Sequence, residues 1–130
     1  MQLVLFVTGP AYGTQNARTA YLFAQKIISS SMNNLQLDLI FFYGEGIYNA
    51  NRYTYPANDE FDLVRAWYQM NLEHDIPLYI CSSAGMRRGV GVFTNNKTLE
   101  RIDNIERGFK IRGLGSLVKS MLSCDRLVQF

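Results

Sequence analysis

The chain opens on a hydrophobic run, Leu3 to Thr8, that closes in Gly9-Pro10-Ala11-Tyr12-Gly13-Thr14. An apolar run without alternation belongs to a strand buried on both faces, and the Gly/Pro turn marks its exit. From Asn16 to Ser30 the period changes. Ala17, Ala20, Tyr21, Phe23, Ala24, Ile27 and Ile28 recur at three- and four-residue spacing, which predicts an amphipathic helix. The polar tract Ser29–Asn34 breaks it. Leu35 to Tyr43 predicts a second strand, and Gly44 to Asn58 an irregular loop carrying Tyr48, Tyr53 and Tyr55. A loop of that length in a small domain is usually functional or ordered by a partner. Asp59 is the expected N-cap of a second helix whose stripe is Phe61, Val64, Trp67, Tyr68 and Leu72. Pro77 begins a third strand that ends at Cys81.

Beyond Arg88 the pattern weakens. Gly89 to Phe93 predicts a turn or short strand, Leu99 to Arg107 a helix, Gly113 to Leu122 a last helix, and Arg126 to Phe130 a last strand. Strands alternating with helices predict an α/β fold of three layers, a mostly parallel sheet covered on both sides, with residues 1–130 as one domain. In such sheets ligand and catalytic sites collect outside the carboxyl ends of the strands. Cys81 lies at that end, as do the loops Gly9–Gln15 and Gly44–Pro56. Cys124 precedes the last strand and so falls at the opposite end. A five-residue strand separates the two thiols by roughly 17 Å, out of reach of a disulfide, and Cys124 reads as structural.

Composition narrows the function classes. With 48% hydrophobic and 18% charged residues the 130-residue chain reads as globular, long enough to bury about two thirds of its unfolded surface. No apolar stretch approaches a membrane span, and the N-terminal run lacks the basic flank of a signal peptide, so a cytoplasmic protein is expected. Two cysteines without CxxC spacing and one histidine, His74, argue against a zinc site. His74 is expected to be exposed near a helix end. The net charge of +2 is uneven: residues 1–86 carry −3 and residues 87–130 carry +5. That asymmetry suits an acidic partner, yet nothing denser than Arg87-Arg88 supports direct nucleic-acid binding. Eight Phe and eight Tyr exceed what a small core needs and point to contact surface.

Candidate chemistry centres on Ile80-Cys81-Ser82-Ser83-Ala84-Gly85-Met86-Arg87-Arg88. A cysteine where a strand gives way to a helix meets the unpaired N–H groups of the first turn, which stabilise a thiolate. The competing reading is a buried structural cysteine. If the thiol is reactive, the residues fit two chemistries. Cys81 and Arg87 have the C-x5-R spacing of cysteine phosphatases, but Arg88 stands where a hydroxyl residue is expected and no general-acid Asp is evident. Alternatively a thiolate relays sulfur as a persulfide, which asks only for an accessible thiol and docking surfaces. A third possibility is a flavodoxin-like interaction module whose Gly9–Thr14 loop holds a phosphate, although that loop lacks the Gly-x-Gly-x-x-Gly pattern.

Several blocks together carry a more specific signal: Val7-Thr8-Gly9-Pro10-Ala11-Tyr12-Gly13-Thr14-Gln15, Phe41-Phe42-Tyr43, Gly46-Ile47-Tyr48-Asn49-Ala50-Asn51, Asp59-Glu60-Phe61-Asp62-Leu63-Val64-Arg65-Ala66-Trp67, Ile80-Cys81, Arg87-Arg88-Gly89-Val90, Gly113-Leu114-Gly115 and Cys124-Asp125-Arg126-Leu127-Val128-Gln129-Phe130. Over essentially its whole length the chain resembles the DsrE-like family of sulfurtransferases, and within it the TusD group that serves transfer-RNA thiolation. The resemblance implies an α/β/α fold and a persulfide carried on Cys81, with no cofactor or metal. It also implies assembly with the homologous subunits TusB and TusC as a dimer of heterotrimers. Sulfur would arrive from the carrier TusA, leave to the acceptor TusE, and end in 2-thiouridine at the wobble position. Tyr48, Tyr53 and Tyr55 would then face sibling subunits or the acceptor's path.

Overall fold

The computed structural model describes residues 1–30 and 34–130. The first apolar run forms strand β1 (Gln2–Val7), and the amphipathic stretch forms helix α1 (Asn16–Ser29) with Ala17, Ala20, Tyr21, Ala24 and Ile27 buried. Residues 31–33 of the expected break lie outside the described residues. Strand β2 (Gln36–Phe42) follows, then helix α2 (Leu63–His74), strand β3 (Leu78–Cys81) and the short helix α3 (Ser82–Arg87). Strands β4 (Val92–Thr94), β5 (Arg101–Asp103) and β6 (Phe109–Arg112), helix α4 (Leu114–Ser123) and strand β7 (Arg126–Gln129) complete the order.

Five strands make one parallel sheet in the order β6-β3-β2-β1-β7. Alternation assigns its faces. Ile40, Leu78 and Phe109 are in register, so with Phe42 and Ile80 they share one face. Trp67 of α2 meets Phe42 edge-on at 5.2 Å and Tyr21 of α1 at 5.3 Å, so α1 and α2 cover that face. Between these helices and the sheet lies apolar core, with Leu5, Ile40, Phe42, Trp67 and Ile80 fully enclosed, while Val4 and Phe41 are enclosed on the opposite face. Helix α4 joins the two edge strands, β6 and β7, and a right-handed crossover carries it over the other face. The layered α/β architecture expected from the alternating pattern is therefore the one observed.

Three local expectations are corrected. The stretch Gly44–Asn58 is not wholly irregular: Gly44–Ala50 forms a 3₁₀ helix seated so closely on β1 that a Cβ on Gly46 would strike the Val7 carbonyl oxygen. The cap of α2 is Asp62 rather than Asp59; its Oδ1 accepts the Arg65 amide at 3.3 Å. The expected helix Leu99–Arg107 is absent. Leu99 takes a left-handed backbone (φ +62°), and Arg101–Asp103 pairs antiparallel with Val92–Thr94 as the β4–β5 hairpin. Ile102 and Ile105 are spaced as in a helix, but Ile102 is taken up in the β4–β5 pairing and Ile105 packs on the core from an isolated bridge to Asn51.

The second edge strand, β6, is not among the elements expected from the sequence. It supplies the partner of β3 in the register Leu78↔Phe109 through Cys81↔Arg112. At the other edge β7 pairs with β1, and the ladder continues past it: Phe130 N–H donates to Phe6 O at 2.9 Å and Thr8 N–H to Phe130 O at 2.8 Å.

Candidate functional site

Cys81 is the last residue of β3 and the N-cap of α3. The apolar Leu-Tyr-Ile run delivers it to the carboxyl edge, and Ser82-Ser83-Ala84-Gly85 turns into helix at once. Cys81 shares its sheet face with Tyr79, the face toward α4, and its register partner across the ladder is Arg112. The Arg112 guanidinium lies 5.0 Å over the Tyr79 ring, so a fixed cation sits along this strip of the sheet. The thiol is free and only 2% exposed, packed within the apolar core. The expected exposure of this thiol is thus not met: reagents reach it only through motion of the surrounding shell.

The two adjacent arginines differ in setting. Arg88 is held in place, its Nε donating to Glu45 Oε1 at 3.0 Å and its Nη1 to Ala84 O at 3.1 Å. This ion pair pins α3 to the 3₁₀ helix. Arg87 projects outward from the last turn of α3. Residues 82–87 are helix rather than a phosphate-cradling loop, so the C-x5-R spacing does not form the phosphatase arrangement. Arg112 was missed because β6 is four residues long. The alternation Phe109-Lys110-Ile111-Arg112 was the available signal.

The three segments expected at the carboxyl edge do converge there. Asn49 joins two of them from a fully buried position. Its Nδ2 donates to Gly9 O at 3.0 Å and Gly46 O at 2.9 Å, and its Oδ1 accepts Trp67 Nε1–H at 3.0 Å. Arg65 extends the scaffold, pairing with Glu106 at 3.1 Å and donating to the carbonyls of Thr54 and Arg52. Tyr53 and Tyr55 are 69% and 90% exposed, whereas Tyr48 is half-buried. His74 is exposed in the last turn of α2, beside Glu73.

Cys124 terminates α4 at the amino end of the sheet, half-buried, its Sγ donating weakly to Met121 O at 3.6 Å. The two thiols thus stand at opposite ends of the strands. A cleft of about 490 Å³ opens beside β1, lined by the Ala11–Gln15 loop, Arg18 and Glu60–Phe61, and Cys81 is not part of it. Among the described residues no group of His, Cys, Asp and Glu has the arrangement of a metal site. No helix among them is long and apolar enough to cross a membrane.

Compared with known proteins, residues 1–130 match the model of the DsrE/DsrF-like family, a family of sulfur-relay proteins. Among solved structures, the YchN protein from E. coli superposes with a TM-score of 0.68 over 100% of both chains, at 22% sequence identity. That likeness establishes the shared fold.

Proposed function

The chain belongs to the DsrE/DsrF-like family, and from that premise we propose that it is a sulfur carrier of the TusD type, acting through a persulfide on Cys81. The observation that carries the reading is the placement of Cys81 at the strand-to-helix junction on the carboxyl edge of the sheet. The thiolate of Cys81 attacks the terminal sulfur of an incoming persulfide. The donor's S–S bond breaks, the donor leaves as a thiolate, and Cys81–S–SH forms. An acceptor thiolate then takes the outer sulfur by the same exchange and restores the Cys81 thiolate. Cys81 is the N-cap of α3 and the register partner of Arg112, so an anionic persulfide would form beside the amide end of the helix and on the strip of sheet that carries a guanidinium.

Because Cys81 is buried, transfer in this reading requires the shell around it to open to donor and acceptor. Loading extends the side chain by about 2 Å, one S–S bond, and the transferable sulfur is the outer one. In this reading TusA-like and TusE-like proteins are donor and acceptor, and TusB- and TusC-like siblings complete a hexamer. The end product is 2-thiouridine at the tRNA wobble position. The test is intact-mass spectrometry of wild type and Cys81→Ser after exposure to a persulfide-loaded donor. One added sulfur on wild type alone, removed by a thiol reductant, is the expected result. Equal loading of the serine variant would sink the assignment.

A further inference from the structure

We infer that the cleft between the β1–α1 loop and the segment entering α2 is a binding site for a small organic oxyanion, a carboxylate or a phosphate, with Arg18 as its recognition group. Arg18 lies in the first turn of α1, with its guanidinium carbon 3.8 Å above the Phe61 ring. Phe61 is in turn backed by the Tyr21 ring at 5.5 Å. A guanidinium held flat in this way keeps its fork pre-organised for a planar or tetrahedral oxyanion.

Arg18 also stands out by what it lacks. Its Nε is buried with no hydrogen-bond acceptor and among the described residues it forms no ion pair, whereas the other arginines without one, Arg87, Arg107, Arg112 and Arg126, are exposed to solvent. Glu60 shares the cleft, but its Oε1 accepts the Ala57 amide at 3.2 Å rather than Arg18. Buried donors are ordinarily satisfied, so an arginine kept this way in a cleft implies a partner from outside the chain.

The walls are built to last. Tyr12 Oη donates to Phe61 O at 2.7 Å and accepts Leu63 N–H at 3.2 Å, which ties the β1–α1 loop to the segment before α2. Gly13 (φ +104°) turns that loop in a conformation that only glycine takes without strain. The first turn of α1 contains no acidic residue, and Gln15 offers no side-chain cap, so positive potential adds to that of Arg18. Position agrees as well. From β1 the chain crosses to β2 on one side, while β7, arriving from the far edge, lies on its other side; ligands of open α/β sheets bind at such switch points. A volume of about 490 Å³ exceeds what a bare oxyanion needs and lies in the range of small-molecule sites, hence an organic ligand.

The experiment is an NMR titration of the ¹⁵N-labelled full chain with inorganic phosphate and, in a parallel arm, with acetate, at ionic strength held constant with sodium chloride. The expected result is a saturable shift of the Gly13 and Thr14 amides and of the Arg18 Nε–H signal in at least one arm, and the arm that saturates identifies the head group. Arg18→Gln should weaken binding roughly tenfold, the usual value of one charge-assisted contact. Phe61→Leu keeps the charge but removes its platform, and should weaken binding as well, with circular dichroism confirming that both variants fold. Shifts absent from both arms, scattered over the surface, or unchanged by Arg18→Gln would overturn the inference.

Discussion

Asn49 spends its polar atoms on three separate segments, the β1 exit loop, its own 3₁₀ helix and α2. Truncation to alanine leaves Trp67 Nε1–H without its acceptor inside the protein and removes the amide's bonds to the Gly9 and Gly46 carbonyls. An orphaned buried group costs about 1–3 kcal/mol and the lost bonds add to it, so Asn49→Ala should lose about 3 kcal/mol or more in urea unfolding. Trp67 is the single tryptophan, so its fluorescence reports the loss directly. An unchanged midpoint would mean that water replaces the amide. Nothing in the sequence separated this asparagine from the surface ones around it, because its burial is decided by Trp67, eighteen residues away. Cys81 was legible, since an apolar run ending in small residues announces a strand-to-helix junction. Its burial was not, because the 3₁₀ helix that packs on β3 and α3 comes from distant sequence.

Asp38, on β2, offers a second test. Partial burial, and then the nearby Asp125 carboxylate, raise its pKa above the ordinary carboxylate value. A carboxyl group raised in the folded state binds its proton more tightly there than when unfolded. Its contribution is therefore favourable below the unfolded pKa of about 4 and is lost as pH rises through the folded value. Asp38→Asn should raise the melting temperature slightly at pH 7 and give no gain at pH 3. A lower melting temperature at pH 7 would contradict this sign.

Among the elements, length and flanking signals together decided what could be read; β3 and β7 are as short as β6, yet Pro77 and the preceding helix marked them. β1, α1, β2, α2 and α4 are long enough for their period to show, and each lies within a few residues of its expected place. β5 and β6 span three and four residues, too few for alternation to stand out from chance. The shortest helix, α3, is also the one on which the site depends. Its Gly85 packs against the Val90 carbonyl so tightly that a methyl group there would overlap the oxygen. Gly85→Ala should cost about 2 kcal/mol or more through overpacking. It should also alter the alkylation rate of Cys81, since α3 has to tilt to relieve the clash. Identical stability and identical thiol reactivity would show that α3 accommodates the methyl group freely.

The whole molecule buries one side of its last helix and leaves the other uncovered. On α4 only Leu117 is buried, while Leu114, Val118, Met121 and Leu122 form an exposed apolar stripe at helical spacing. Apolar surface of that kind promotes association. The isolated chain should accordingly sediment with a concentration-dependent mass above its 14.9 kDa, and a clean monomer across the accessible concentration range would contradict it.

The sheet order has a further consequence for synthesis. β1 is made first, yet its outer edge is filled only by β7, more than a hundred residues later. During translation the ribosome therefore carries a hydrophobic strand whose lateral hydrogen-bonding groups stand open until residues 126–129 emerge. Such an edge is a template for pairing with neighbouring nascent chains. On that side the sheet closes only once β7 has emerged.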